Sequence, residues 1–123
     1  MEKTGARSFR DLIVWQKAHA LVLALYELTK TFPRDEDFGL KLQMRRAAVS
    51  VAANVAEGFK KRGRADKLRF FNTAQGSLEE CKYFLILCHD LEYGNTDGIP
   101  PLAEEVGKLL FAYARSIQQG YGH

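Results

Sequence analysis

The sequence predicts an all-α fold, an antiparallel up-down-up-down four-helix bundle. Apolar residues recur at helical spacing in four successive segments. Proline is scarce, three residues of which Pro100 and Pro101 are adjacent, as long uninterrupted helices require. Short turn-like stretches join the segments, so consecutive helices are expected to run in opposite directions. There is no alternating strand pattern and no internal repeat. At 123 residues the chain has room for one domain with one core, residues 1–123.

The first helix is predicted over about 9–31. Ser8 is its expected N-cap, with Asp11 as a capping-box partner. Leu12, Trp15, Val22, Leu25, Leu28 and Phe32 form its apolar stripe, and Phe32-Pro33 ends it, because the residue before proline is pushed out of the α region. The second is predicted over about 37–61. Asp35, Glu36 and Asp37 crowd its start and Lys60, Lys61 and Arg62 its end, the polarity the helix dipole favours; Gly63 follows as a stop. The third is predicted over about 65–93. Phe70, Ala74, Ser77, Cys81, Phe84, Cys88 and Leu91 keep a 3-4 spacing, which Phe71, Leu78 and Leu85 widen. The run Gly94-Asn95-Thr96-Asp97-Gly98 is a turn. The fourth is predicted over about 99–118, with Pro100 and Pro101 in its first turn and Leu102, Val106, Leu109, Leu110, Tyr113 and Ile117 on its apolar face. The tail 118–123 is expected to fray.

Two stretches carry more apolar surface than one core needs. The second helix is small nearly all round from Ala47 to Ala56, and the first has apolar groups on every face from Leu21 to Tyr26. The surplus predicts a homo-oligomer whose seam involves Leu23 and Ala53. Arg46, Ser50, Asn54, Glu57 and Lys61 share one face of the second helix. A catalytic reading would make Ser50 a nucleophile and Glu57 a base, but no histidine accompanies them. They read instead as a polar strip at a helix–helix contact, with Arg46 or a neighbouring base pairing with Glu57.

Charge is unevenly distributed. Net charge is +3, yet residues 41–69 hold nine bases, Lys41, Arg45, Arg46, Lys60, Lys61, Arg62, Arg64, Lys67 and Arg69, against two acids, Glu57 and Asp66. Six of those bases fall between Lys60 and Arg69. Such a cluster is the electrostatic footprint of a phosphate-binding surface. RNA or DNA is the expected partner, through Lys60, Lys61, Arg62, Arg64, Lys67, Arg69, Arg45 and Arg46. An oligomeric scaffold docking an acidic protein partner is the alternative. No cluster of Asn or Gln accompanies the bases in sequence, so sequence-independent binding is expected.

Nothing points to catalysis. His19, His89 and His123 are isolated, and His89 cannot chelate with its neighbours Cys88 and Asp90 because adjacent helical side chains diverge. Cys81 and Cys88, seven residues apart on one helix, lie about 10 Å apart, too far for a disulfide. No phosphate loop, dinucleotide fingerprint or nucleophile elbow occurs. No metal site, cofactor or enzymatic activity is expected. The apolar run from Ala20 to Tyr26 is too short to span a membrane, and no targeting segment is visible, so a cytoplasmic location is expected.

Several ordered motifs carry a family resemblance. They are Phe9-x-Asp11-Leu12-x-Val14-Trp15-Gln16-Lys17-Ala18, then Tyr26-x-x-Thr29-x-x-Phe32-Pro33-x-x-Glu36-x-Phe38-Gly39-Leu40, then Arg45-Arg46-Ala47-Ala48-Val49-Ser50-Val51-Ala52-Ala53-Asn54-Val55-Ala56-Glu57-Gly58, and finally Ala74-Gln75-Gly76-Ser77-Leu78-x-Glu80. Across about residues 9–117 the chain resembles the four-helix-bundle family related to proteins encoded in intervening sequences of bacterial 23S ribosomal RNA genes. Many members have proline where this chain has Ala52, which leaves the second helix straighter here. The resemblance implies an antiparallel bundle assembling as a homopentamer. It also implies a link to nucleic acid, since a distantly similar protein assists the reverse transcriptase of diversity-generating retroelements and binds nucleic acid through a basic surface. RNA is favoured over DNA on that analogy.

Overall fold

The computed structural model describes residues 5–120. Four α-helices account for most of them: α1 (Ile13–Thr29), α2 (Leu40–Lys60), α3 (Arg64–Leu91) and α4 (Ile99–Gln118). Among the described residues there is no strand. The expectations for residues 121–123 lie outside the described residues.

The first helix differs from its predicted range at both ends. Phe9–Asp11 form a separate 3-10 turn, because Leu12 is extended (φ −78°, ψ 128°) and α1 begins at Ile13. The Ser8–Asp11 capping pair belongs to that turn. Ser8 Oγ accepts from the Arg10 N–H at 3.1 Å, and the Asp11 carboxylate accepts from the N–H groups of Arg7 (2.9 Å) and Ser8 (3.1 Å). Those two donors hold the Asp11 carboxyl below its ordinary value. Leu12 is fully buried, so the turn is anchored by its own apolar end. The Phe9 ring meets the edge of Trp15 at 5.1 Å, and Trp15 stacks on His19 at 4.9 Å. At its other end α1 stops at Thr29, whose hydroxyl donates to the Leu25 carbonyl at 2.8 Å.

The second helix starts later than the acids suggest. Arg34–Glu36 make another 3-10 turn, and α2 begins after Gly39. Glu36 still acts on the helix start, since its Oε1 accepts from the Leu40 N–H at 3.2 Å. Its Oε2 receives the Tyr93 hydroxyl at 3.1 Å, which joins this link to the α3–α4 loop. Phe38, in the same link, is 92% exposed.

The third helix ends at Leu91, with Glu92 in the left-handed conformation (φ 58°) and Gly94 also at positive φ. Its buried face is Phe71, Ala74, Leu78, Cys81, Phe84, Leu85 and Cys88. The predicted stripe is thus rotated slightly: Phe70 and Ser77 are half-buried and Leu91 is exposed.

Each helix packs on two neighbours, α1 on α2 and α4, and α3 on α2 and α4, with the α2–α3 pair the most extensive. Three contacts show how α2 and α3 align. The Cys88 thiol lies 3.4 Å from Met44 Sδ, Ser50 and Ser77 share a 2.8 Å hydrogen bond, and Lys67 reaches Gly58 and Phe59. Residue numbers therefore rise along α2 as they fall along α3. The same holds for α3 and α4, where Phe71 meets Tyr113 and Lys82 pairs with Glu104 at 3.3 Å. The core between them is aliphatic and aromatic, with Leu12, Leu21, Leu25, Met44, Val51, Val55, Phe71, Leu78, Val106 and Leu110 sealed from solvent. Both cysteines are free and buried in it.

Candidate nucleic-acid interface

The α2–α3 corner is tight because Gly58 is small. A Cβ there would sit 3.0 Å from Phe70 Cβ and 3.1 Å from the Phe71 ring. Lys61 is extended (ψ 147°), and three residues turn the chain into α3. The cluster Lys60–Arg69 does not behave as one surface. Lys67 is turned inward, 4% exposed, and its ammonium donates to the carbonyls of Gly58 (3.3 Å) and Phe59 (2.7 Å). It gives the Phe59 carbonyl a donor at the open end of α2 and adds a second to the Gly58 carbonyl, which already accepts the Lys61 N–H at 3.2 Å. Burial pushes its pKa below the ordinary lysine value. Lys67 is therefore corrected from phosphate ligand to C-terminal cap.

Lys60, Arg62, Arg64 and Arg69 are exposed and Lys61 is half-buried. Lys61 and Arg69 both lie over the Phe70 ring, at 5.1 Å and 4.7 Å, a cation–π arrangement that pre-positions two charges. Arg69 also meets Asp66 at 3.4 Å, an exposed pair of little energetic weight. Arg64 reaches the end of α4, its Nη2 3.2 Å from where a Cβ on Gly120 would stand.

Arg45 and Arg46 do not join this corner. Fifteen residues separate Arg45 from Lys60, about 22 Å along the helix. Arg45 is engaged with α1, donating to Thr29 Oγ1 at 2.8 Å and the Tyr26 carbonyl at 3.3 Å while its guanidinium covers the Tyr26 ring at 4.4 Å. Arg115, absent from the sequence-based set, does join it. It sits in the last turn of α4 and lines a groove with Arg69. The same groove gathers Asn72, Gln75 and Gln118, so the expectation that no amide cluster accompanies the bases is also corrected. Asn72 and Gln75 follow Arg69 on α3 by three and six residues, a spacing already present in the sequence, and only Gln118 is brought in from a remote segment, α4.

Of the polar strip on α2, only Ser50 bonds to another helix, while Arg46 and Glu57 are exposed. Asn54 Nδ2 donates to the Ser50 carbonyl (2.8 Å) and hydroxyl (3.0 Å), and Ser50 meets Ser77 of α3. Glu57 is exposed and forms no ion pair with a described residue; Arg46, eleven residues away, is about 16 Å off along the helix. The expected Arg46–Glu57 pair is thus not formed. Leu23, Tyr26 and Val49 leave apolar surface open on α1 and α2, Leu23 being 57% exposed, and Ala53 is exposed beside them in sequence. Among the described residues no three His, Cys, Asp or Glu lie close enough to hold a metal ion, and no helix is long and apolar enough to cross a membrane.

Four packed helices with a cationic corner define a small all-helical protein. The chain belongs to the family of 23S rRNA-intervening sequence proteins, whose family model matches residues 10–112. A solved structure from Bacteroides thetaiotaomicron, of a protein of unknown function in the S23 ribosomal protein family, is similar over 84% of this chain and 96% of its own, with 25% identity and a TM-score of 0.76. No curated protein matches the chain.

Proposed function

We propose that this chain is a non-catalytic nucleic-acid-binding protein, with RNA favoured over DNA, that works in the cytoplasm as an antiparallel bundle in a homo-oligomer of five copies. The observation that supports binding is the gathering of Lys60, Lys61, Arg62, Arg64, Arg69 and Arg115 around the α2–α3 corner and the end of α4, with Asp66 alone against them in the 60–69 stretch. Phosphates suit such a surface, because condensed counterions released on binding supply the driving force. The assembly rests on the open apolar faces of α1 and α2, and its number on the family resemblance.

The test is a gel shift with unrelated RNA and DNA over a range of salt. Affinity should fall with a log–log slope of about 0.7–0.9 per phosphate contacted. Changing Lys61, Arg62 and Arg64 together to Glu should abolish retardation while the helix signal in circular dichroism stays unchanged. If the unmodified protein retards neither nucleic acid at low salt, the corner is instead a solvated helix terminus or a dock for an acidic protein partner, and the scaffold reading takes over.

A further inference from the structure

Beside the cationic corner, α3 and α4 part to form a groove of about 650 Å³. Its α3 wall is Arg69, Asn72 and Gln75, three residues apart, and its α4 wall is Phe111, Arg115 and Gln118, spaced four and three. These spacings place each set on one stripe of its helix. Leu68 and Ala114 also line the groove, and no acid does. The lining holds two guanidiniums, three amides without hydrogen bonds to described residues, and a phenylalanine 60% exposed. Further along the same helices Lys82 bridges Glu79 (3.0 Å) and Glu104 (3.3 Å), and those carboxylates bound the cationic stretch.

Each component answers to part of a nucleotide. Guanidiniums pair with phosphate oxygens in a planar fork. Amides offer a donor and an acceptor that match base edges. An open aromatic ring stacks on any base, and bases are free to stack only where they are unpaired. We infer that this groove holds a short run of single-stranded nucleic acid, with one base on Phe111, base edges toward Asn72, Gln75 and Gln118, and phosphates on Arg69 and Arg115. The inference rests on the nucleic-acid reading of the corner and adds to it a strand preference that charge alone does not confer. From Arg64 to Gln75 the cationic wall runs about 16 Å, room for a few nucleotides.

The experiment compares a fluorescently labelled oligouridylate with an RNA duplex of equal length, by anisotropy, on the full chain. The unmodified protein should bind the single strand more tightly. Phe111→Ala should weaken the single strand about tenfold, the loss of one stacked base, and leave the duplex within twofold. Phe111→Tyr should restore single-strand binding. Arg115→Gln should reduce the salt slope for oligouridylate by about one and serves as a second probe where Phe111→Ala is poorly folded. If Phe111→Ala and Arg115→Gln bind both nucleic acids as the unmodified protein does, the groove assignment falls and the corner reading stands. If a folded Phe111→Ala weakens both equally, the strand preference falls. If the unmodified protein binds neither, both readings fall together.

Discussion

Lys67 has the charge of its neighbours and a different task. Its ammonium closes the end of α2 from inside, so removing it strips the Phe59 carbonyl of its donor, while Gly58 keeps the Lys61 N–H at 3.2 Å. Lys67→Ala should cost about 1–3 kcal/mol in urea unfolding while nucleic-acid affinity changes less than twofold. Arg62→Glu, at an exposed position, should stay within about half a kcal/mol and weaken binding instead. The two thiols supply a pH signature. Burial pushes Cys88 up to about 11 and, with the nearby Glu80 charge, Cys81 up to about 12, from an ordinary 9.0. The unfolded chain thus ionises its thiols first, so their contribution is complete below pH 9.0 and drains away as pH climbs toward those values. Lys67 acts in the opposite sense: its folded value is depressed, so stability rises as its proton leaves, up to the unfolded value of 10.5. The urea midpoint should fall above pH 9, and Cys81→Ala with Cys88→Ala should lessen that fall between pH 9.0 and 10.0, below the point where Tyr93, pushed up by burial and its Glu36 hydrogen bond, and Lys82, pushed up by its Glu79 and Glu104 partners, add falls of their own. A fall between pH 9.0 and 10.0 left unchanged in the double variant would contradict this assignment. Sequence spacing separated the cysteines from each other correctly, but which lysine of a cluster turns inward depends on a partner backbone that spacing does not describe.

At the scale of elements, two glycines inside helices make opposite predictions. Gly76 is exposed and a Cβ there meets nothing within 4 Å, so Gly76→Ala should stabilise by about 1 kcal/mol through helix propensity. Gly58 would drive a Cβ to 3.0 Å from Phe70 Cβ, an atom close to the backbone and unable to swing away. Gly58→Ala should therefore lose stability despite the same propensity gain, by about 1–2 kcal/mol net. Thermal melts of the two variants, shifted in opposite directions, check both. Most of each helix was legible because apolar spacing is a property of the helix itself. The start of α4 was legible from its proline pair. The starts of α1 and α2 were not, since capping residues looked alike whether they served a helix or a 3-10 turn. Leu12 and Gly39 decide the matter through backbone angles, Leu12 by being drawn into the core.

At the scale of the whole molecule, both charge and apolar surface are left open to solvent. The cationic corner gathers the ends of α2, α3 and α4, while Leu23, Tyr26 and Val49 leave an apolar area on the α1–α2 side. Leu23→Glu should split the proposed assembly into single chains in light scattering, with helix content retained, because Leu23 is already 57% exposed within one copy. A single-chain mass for the unmodified protein at micromolar concentration would remove the assembly altogether. The corner itself was half legible. Lys60 to Arg69 stand together in the chain, and Asn72 follows them on α3, but Arg115 and Gln118 reach the groove only once α4 has packed on α3. Arg45 and Arg46 were added by nearness in sequence, though an α-helix carries residues fifteen apart to different places.

Phe38 draws a consequence of another kind. Its ring is 92% exposed in the link between α1 and α2, with Gly39 immediately after it. Chymotrypsin cuts after aromatic residues in open, pliable chain, and this link offers one beyond the helices. Among the described residues, a brief digestion should therefore nick the native protein first after Phe38, separating α1 from the other three helices in a single cleavage. The nicked pieces should stay together until denaturant is added, since α1 is held by its buried stripe rather than by the link. The rate of that first cut, followed with increasing protein concentration, reports whether neighbouring copies shelter the loop.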